Sequence, residues 1–144
     1  MSEVRVFLSP ERKEVKGMQW IGVKTAVGLA RCLSRLPPHR VRRSLEIVRK
    51  GARPATAAQT LAARETVVGV SLYCAGETCL PRSIAVVLVC RAYGVWPTWC
   101  TGARLEPFRA HAWVEAEGEP VGEGFGAGEL YSKMLVVPPV ADEV

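Results

Sequence analysis

The chain has 144 residues, of which 49% are hydrophobic, and a net charge of +5; its longest apolar stretch is shorter than the roughly 18 residues of a membrane span. This length fits one compact domain, residues 1–144, which needs no disulfides for stability. The five cysteines are odd in number and irregularly spaced, and the N-terminus lacks a signal-peptide pattern. We therefore expect a protein of the reducing cytoplasm that has no membrane partner.

The first part of the chain, residues 1–53, is predicted to be a basic helical region. Apolar residues recur at helical spacing from Pro10 to Leu36, where two prolines stop the pattern. A second, short helix is predicted from Val41 to Lys50, before Gly51. Most lysines and arginines lie here, whereas the last third of the chain is acidic. Such asymmetry is typical of solvated helix faces, or of a docking surface for an acidic peptide, a partner protein or nucleic acid.

Residues 54–144 are predicted to form a core in which helices precede antiparallel strands. A helix starts at Pro54-Ala55-Thr56 and runs to about Tyr73. The segment from Cys79 to Gly94 has a proline suited to a first helical turn, a glycine suited to a helix end and no polar face, which predicts a fully buried helix. Its β-branched residues leave a buried strand as the alternative. The predicted strands are Trp96 to Arg104, Phe108 to Glu117 and Glu119 to Glu123, with Glu117-Gly118 as a tight turn. The predicted fold class is α+β.

One cysteine and one histidine suggest nucleophilic catalysis. Cys79 stands at the predicted start of the buried helix, where unpaired backbone N–H groups and the helix dipole favour a thiolate. His111 lies on a predicted strand, and its imidazole is a suitable base for the thiol proton. If the last two strands form a hairpin about Gly118, the partner of His111 falls near residue 125, and Glu123 becomes a diagonal neighbour. The predicted catalytic residues are therefore Cys79, His111 and Glu123, the last as the group that orients the imidazole.

Less specialised roles for the same residue types stay open. A lone cysteine in an apolar protein is most often a small buried hydrophobe, which is our interpretation of Cys32, Cys90 and Cys100, whereas Cys74 is ambiguous. A single strand histidine is often structural, and Glu123 could be a solvent-facing turn carboxylate. The other histidine, His39, is interpreted as an exposed residue at a helix start.

The sequence gives no motif for a metal or a cofactor, and we expect neither. The later cysteines are not arranged in closely spaced pairs such as C-x-x-C, which structural zinc sites usually have. The glycine-rich segment from Gly122 to Gly128 is not followed by the Lys-Ser/Thr of a phosphate loop, so a flexible loop is the preferred interpretation.

The order of a helix-borne Cys, a strand His and an acidic residue on the next strand resembles the transglutaminase-like branch of papain-fold cysteine proteases. Within that branch, four segments resemble the lasso-peptide biosynthesis B proteins, the leader peptidases of that pathway. The resemblance covers roughly Ala57 to Val137. The four segments are Cys79-Leu80-Pro81-Arg82-Ser83, Gly102-Ala103-Arg104, His111-Ala112-Trp113-Val114-Glu115 and Leu130-Tyr131-Ser132-Lys133-Met134-Leu135.

The resemblance implies ATP-independent removal of the leader from a ribosomally made precursor peptide, coordinated with a macrolactam-forming lasso cyclase similar to asparagine synthetase. In that family the leader-recognition domain is fused at the N-terminus or is a separate small protein. Because the first residues here are predicted to be helical, we expect a separate recognition protein, which the basic helices with Arg40, Arg42 and Arg43 would engage. Nucleic acid is not an expected partner.

One position departs from the family pattern. Where the family carries Asp in a V-N-D stretch, this chain has Val121-Gly122-Glu123. Glu115 and Glu119 are the next candidates if Glu123 does not orient the imidazole. For the oxyanion hole, the backbone N–H of Cys79 is a suitable donor. Two other functions stay open: acyl transfer to an amine by the same Cys/His site, and a non-catalytic peptide-binding module.

Overall fold

The computed structural model describes residues 18–70, 79–105, 108–122 and 131–140. Helices come first in these ranges and an antiparallel sheet follows, so the predicted α+β class is confirmed. The helices are α1 (Met18–Leu33), α2 (Pro38–Val48), α3 (Ala57–Val70) and α4 (Cys79–Ala92); the strands are β1 (Arg53–Pro54), β2 (Val95–Trp96), β3 (Thr98–Leu105), β4 (Phe108–Ala116), β5 (Glu119–Pro120) and β6 (Ser132–Val137). None of the helices in the described ranges is long and apolar enough to cross a bilayer.

The core is built around α4. This helix packs against α1 and α3 and against β4 of the sheet. Four successive residues, Ile84, Ala85, Val86 and Val87, are all buried. Since successive helical side chains are about 100° apart, four in a row cover every side of the helix. The prediction of a buried helix from Cys79 is confirmed, and the alternative of a buried strand is excluded.

Hydrogen bonds hold the N-terminal end of α4, and a glycine ends the helix at its C-terminus. At the N-terminal end, Pro81 is buried in the first turn, and the indole Nε1 of Trp99 donates a 3.0 Å hydrogen bond to Ser83 Oγ, which donates in turn to the Leu80 carbonyl. At the other end, Gly94 has φ of +82°, the left-handed conformation with which many helices end. The first turn of α4 is thereby tied to β3.

The main sheet is antiparallel and has the strand order β5-β4-β3-β6. In the central pair, Gly102 of β3 lies opposite His111 of β4. The predicted strand from Trp96 to Arg104 is interrupted at Pro97, which has no backbone N–H, and its first part, β2, pairs in parallel with β1 instead. Neither β1 nor β6 was predicted.

The strand predicted from Glu119 to Glu123 is wrong in its length. The turn at Glu117 and Gly118 is confirmed, with φ of +56° and +81°, but the ladder of β5 ends at Pro120. Val121 makes one more hydrogen bond to the Val114 carbonyl, and the chain then bends at Gly122, where φ is +71°. Glu123 lies outside the described residues.

The helix boundaries differ from the predicted ones by a few residues. The described part of the first helix ends at Leu33, before the prolines, and α2 begins at Pro38 because proline is favoured in a first helical turn. His39 is exposed there, as predicted. The next helix begins after Thr56, whose side chain and that of Gln59 accept each other's backbone N–H.

The space around Gly102 gives a test of this packing. A Cβ there would lie 2.7 Å from the Ser132 carbonyl oxygen and 2.9 Å from the Trp113 ring, beside the irregular register between β3 and β6. We expect Gly102→Ala to lower the free energy of unfolding by about 1–3 kcal/mol, the usual cost of overpacking, measured by urea unfolding. The control is Gly28→Ala in α1, where a Cβ meets nothing within 4 Å and helix propensity predicts a gain of roughly 0.5–1 kcal/mol. Equal effects of the two substitutions would contradict this account.

Candidate active site

Cys79 and His111 are brought together by the packing of α4 on β4. Cys79 is the first residue of α4 and is half-buried. The pKa of its thiol is lowered, first by a hydrogen bond with the His111 side chain, against the opposing effect of burial. A hydrogen bond from the Ala112 backbone and the nearby charges of His111 and Arg82 lower the pKa of the thiol further. The two predicted site residues on these elements therefore form a polarised thiol–imidazole pair.

The backbone contact from Ala112 depends on an open edge of β4. The Val114 carbonyl accepts a hydrogen bond from Val121, so the polar groups of Val114 point to the edge of β4 that faces away from β3. Residues two apart in a strand share this direction, so the Ala112 N–H points the same way. The ladder between β4 and β5 ends at the pair Glu115–Pro120. The Ala112 N–H therefore lies beyond the end of β5, and it donates a hydrogen bond to the Cys79 sulfur.

The other described cysteines differ from Cys79. Burial raises the pKa of Cys90 and of Cys100 to about 12, and the neighbouring Glu115 carboxylate adds to the effect at Cys100. Both behave as small buried side chains, as expected. The same interpretation of Cys32 is wrong, because this residue lies exposed near the end of α1. Cys74 lies outside the described residues.

Two aromatic rings pack against the imidazole of His111 and against each other. The Trp113 ring is stacked on it, with centroids 5.7 Å apart and planes 16° apart. The Tyr131 ring lies 5.3 Å away at a tilt of 36° and also contacts Trp113 at 6.1 Å. Gly102, opposite His111 in the sheet, leaves the space that the Trp113 ring occupies. These contacts restrict the rotation of the imidazole.

Trp113 is itself held by a buried ion pair. Its indole Nε1 donates a 2.8 Å hydrogen bond to Glu115 Oε2, and Lys133 Nζ donates a 2.9 Å bond to Glu115 Oε1. The Glu115 side chain is buried, whereas Lys133 is partly exposed, and the hydrogen bond to Glu115 raises the pKa of Lys133. Glu115, a reserve candidate for orienting His111, is thus engaged with Trp113 instead.

The remaining candidate acids are placed differently. Glu119 is exposed on β5, and Glu123 lies outside the described residues, so the predicted third site residue stays a prediction. Among the residues that the structure describes, no group of three or more His, Cys, Asp and Glu side chains is arranged to hold a metal ion.

Two patterns in the sequence indicate some of these contacts. Glu115 interrupts a run of apolar strand residues, and a charge in such a run is usually buried with a partner. Tyr131 and Lys133 are two residues apart and so share one face of a strand. The residues that they contact, His111 and Glu115, however, lie on β4. A local sequence pattern does not show that β4 and β6 lie on either side of β3.

Comparison with known proteins agrees with this architecture. The sequence model of the transglutaminase-like superfamily matches residues 23–136, which is most of the chain. The chain belongs to the transglutaminase-like superfamily. Nothing among curated proteins or solved structures matches it significantly. Membership in the transglutaminase-like superfamily confirms the broader of the two resemblances, and the domain fits the core of a cysteine protease or an acyltransferase.

The lowered pKa of Cys79 is directly measurable. We expect iodoacetamide to alkylate Cys79 at a lower pH than it alkylates the same cysteine in urea-unfolded protein, because the reagent reacts with the thiolate. Cys90 and Cys100 should stay unmodified in the folded protein. His111→Ala removes the largest cause of the shift, so its pH profile for Cys79 should move upward. Peptide mapping by mass spectrometry measures the rates. His39→Ala is the control, and an unchanged profile in His111→Ala would contradict the assignment.

Proposed function

We propose that this protein is a cysteine endopeptidase that removes the leader peptide from a ribosomally made lasso-peptide precursor. The observation that carries the proposal is the thiol of Cys79, which lies at a helix N-terminus with its pKa lowered by His111, while burial raises the pKa of Cys90 and Cys100. A thiolate next to an imidazole is the arrangement that nucleophilic cleavage of a peptide bond requires.

In the proposed reaction, the Cys79 thiolate attacks the carbonyl carbon of the scissile peptide bond, and His111 holds the thiol proton. The backbone N–H of Cys79, the first residue of α4, donates to the oxyanion. His111 then protonates the leaving amine, and a thioester with Cys79 remains. Water, deprotonated by His111, hydrolyses the thioester and releases the free carboxylate and the thiol.

The specific proposal of a leader peptidase is supported by where the four resembling segments lie. The first contains Cys79, and the third runs from His111 to Glu115 along β4. The second includes Gly102, directly opposite His111, and the fourth brings the ring of Tyr131 onto the imidazole. Segments far apart in the sequence thus surround one thiol–imidazole pair.

The proposed partners are a separate leader-recognition protein and a lasso cyclase, in the cytoplasm. We propose the basic face of α2 as the contact for the recognition protein or its bound leader. Arg40, Arg42 and Arg43 are all exposed on this helix. Arg42 pairs with Glu46 at 3.0 Å, but an exposed pair one helical turn apart contributes only about 0.3–0.5 kcal/mol and does not prevent a new partner from binding.

The central prediction concerns the nucleophile. Cys79→Ala should abolish removal of the leader while the fold survives, because the covalent route is lost and a half-buried thiol is replaced by a smaller side chain. The assay is mass spectrometry of the cognate precursor incubated with this protein and its recognition partner. The matched control is Cys32→Ala, which removes an exposed thiol and should cleave like the wild type.

The masses of the products separate this proposal from its alternatives. After hydrolysis, the masses of leader and core together exceed the precursor mass by one water. Transfer to an added amine instead joins the amine to the acyl group, with loss of ammonia from a glutamine side chain or release of the core peptide from the leader. Cleavage that persists in Cys79→Ala would rule out the cysteine-peptidase mechanism. Amine incorporation without cleavage would favour transglutamination by the same site.

Two substitutions of Glu123 separate the effect of its charge from the effect of its side-chain length. If its carboxylate orients His111, Glu123→Gln should lower the turnover number by about two to four orders of magnitude, because the imidazolium loses its counter-charge. Glu123→Asp keeps the charge and should retain more activity. Single-turnover kinetics on the precursor measures both, and Glu119→Gln on β5 is measured beside them because Glu119 is the next candidate. Similar rates for Glu123→Gln and wild type would assign the orienting role to another residue.

A further inference from the structure

We propose that Arg104 and Arg109 form an anion-binding site beside His111, and that this site binds a carboxylate of the peptide substrate about two residues from the cleaved bond. The identity of the ligand as a peptide rests on the proposed peptidase function. The inference of an anion site itself rests on the positions of the two arginines in the sheet.

The two arginines flank His111 on one face of the sheet. Arg104 of β3 and Arg109 of β4 are directly opposite each other, and Gly102 is opposite His111. Directly opposite residues share a face, and residues two apart along a strand share it as well. Arg109 is therefore the next residue on the face of His111, and Arg104 is its diagonal neighbour across the ladder.

A ring contact fixes the guanidinium group of Arg104 close to the imidazole. Arg104 Cζ lies 5.9 Å from the centre of the Tyr131 ring, and the same ring lies 5.3 Å from the His111 ring. Arg104 and His111 thus contact the same aromatic ring. A substrate group that reaches Arg104 would lie within a few residues of a peptide bond at Cys79.

The charges of the two arginines are not balanced within the described part of the chain. Like charges directly opposite each other in a sheet are destabilising. No carboxylate among the described residues forms an ion pair with Arg104 or Arg109, although Glu115 and Glu46 are paired with other cations there. Arg104 Nε is also buried without a hydrogen-bond acceptor. A buried donor left unsatisfied costs about 1–3 kcal/mol or more when charged, so a bound anion would relieve both costs.

The geometry favours a carboxylate carried by the substrate itself. Arginine presents a planar fork of donors that matches a carboxylate with two parallel hydrogen bonds. Along β4, the two residues from His111 to Arg109 span roughly 6.5 Å, the length of two residues of an extended peptide. An Asp or Glu side chain about two positions from the cleaved bond fits this spacing.

The test labels Cys79 with short affinity reagents and needs no cleavage. The probes are iodoacetyl-Glu-amide and its homologues with one or two glycines between the iodoacetyl group and Glu, each compared with the matching Gln reagent. For at least one spacing, the Glu reagent should alkylate Cys79 about tenfold faster than its Gln counterpart, the discrimination that one charge-assisted hydrogen bond supplies. The preference should weaken as salt concentration rises. Intact-protein and peptide mass spectrometry give the rates.

Substitutions then assign the preference to the two arginines. Arg104→Gln and Arg109→Gln should each reduce the ratio of Glu to Gln rates, and the double variant should bring it close to one. Arg82, whose charge also acts on Cys79, is unchanged in all of these variants, so a preference caused by Arg82 would survive in the double variant. Arg53→Gln on β1 is the control, because this arginine is exposed and has no proposed role, and it should keep the wild-type ratio. Arg104→Lys should keep part of the ratio. Arg109 is exposed, so its variant is informative even if Arg104→Gln unfolds.

Two outcomes would overturn the proposal: equal rates for the Glu and Gln reagents at every spacing in the wild type, or a preference that survives in the double variant. The labelling experiment tests the anion site whether or not the protein cleaves a precursor. A protein that keeps the preference but does not cleave a precursor contradicts only the peptidase proposal, and a protein that cleaves without any preference contradicts only the anion site.

Discussion

The burial of α4 on every side along the turn from Ile84 to Val87 is the constraint on which the rest of this structure depends. A helical segment that is apolar on every side is stable in water only if other elements cover it, and α1, α3 and the sheet pack against α4. Since its position is fixed from several directions, its first residue is fixed as well. The indole of Trp99 and the hydroxyl of Ser83 add a polar tie at this end of the helix. The location of the reactive thiol is thus a consequence of core packing.

The chemistry at that thiol depends on the shortness of one strand. If β5 continued beyond Pro120, its backbone would compete for the edge of β4 that carries the Ala112 N–H. The bend at Gly122 ends the ladder, and the sulfur of Cys79 accepts from that edge instead. The rings of Trp113 and Tyr131 pack against the imidazole and against each other. Hydrogen bonds with the His111 side chain and from the Ala112 backbone therefore lower the pKa of the Cys79 thiol, and the aromatic packing restricts the position of the imidazole.

Local sequence patterns were sufficient for the parts of the fold that local forces determine. The helix from Cys79, its proline and glycine ends, and the turn at Gly118 all follow from residues close in the chain. The length of β5 does not, since Val121 favours a strand, whereas the chain bends at Gly122, next to the Arg64 side chain. Tyr131 and the facing arginines were also beyond prediction, because their significance arises from register across β3, β4 and β6.

The tight turn between β4 and β5 meets two opposing requirements, one from its own backbone conformation and one from a contact with the helices. Glu117 adopts a left-handed conformation that Asn or Gly would adopt more readily. Its carboxylate, however, accepts a 3.3 Å hydrogen bond from the backbone of Ala57, at the start of α3. A residue better suited to the turn would leave that helix end without this acceptor. Glu117, which is unfavourable in the turn, is thus the residue that joins the hairpin to the helical layer. Replacing it by a residue that suits the turn better would weaken the contact between the helices and the sheet.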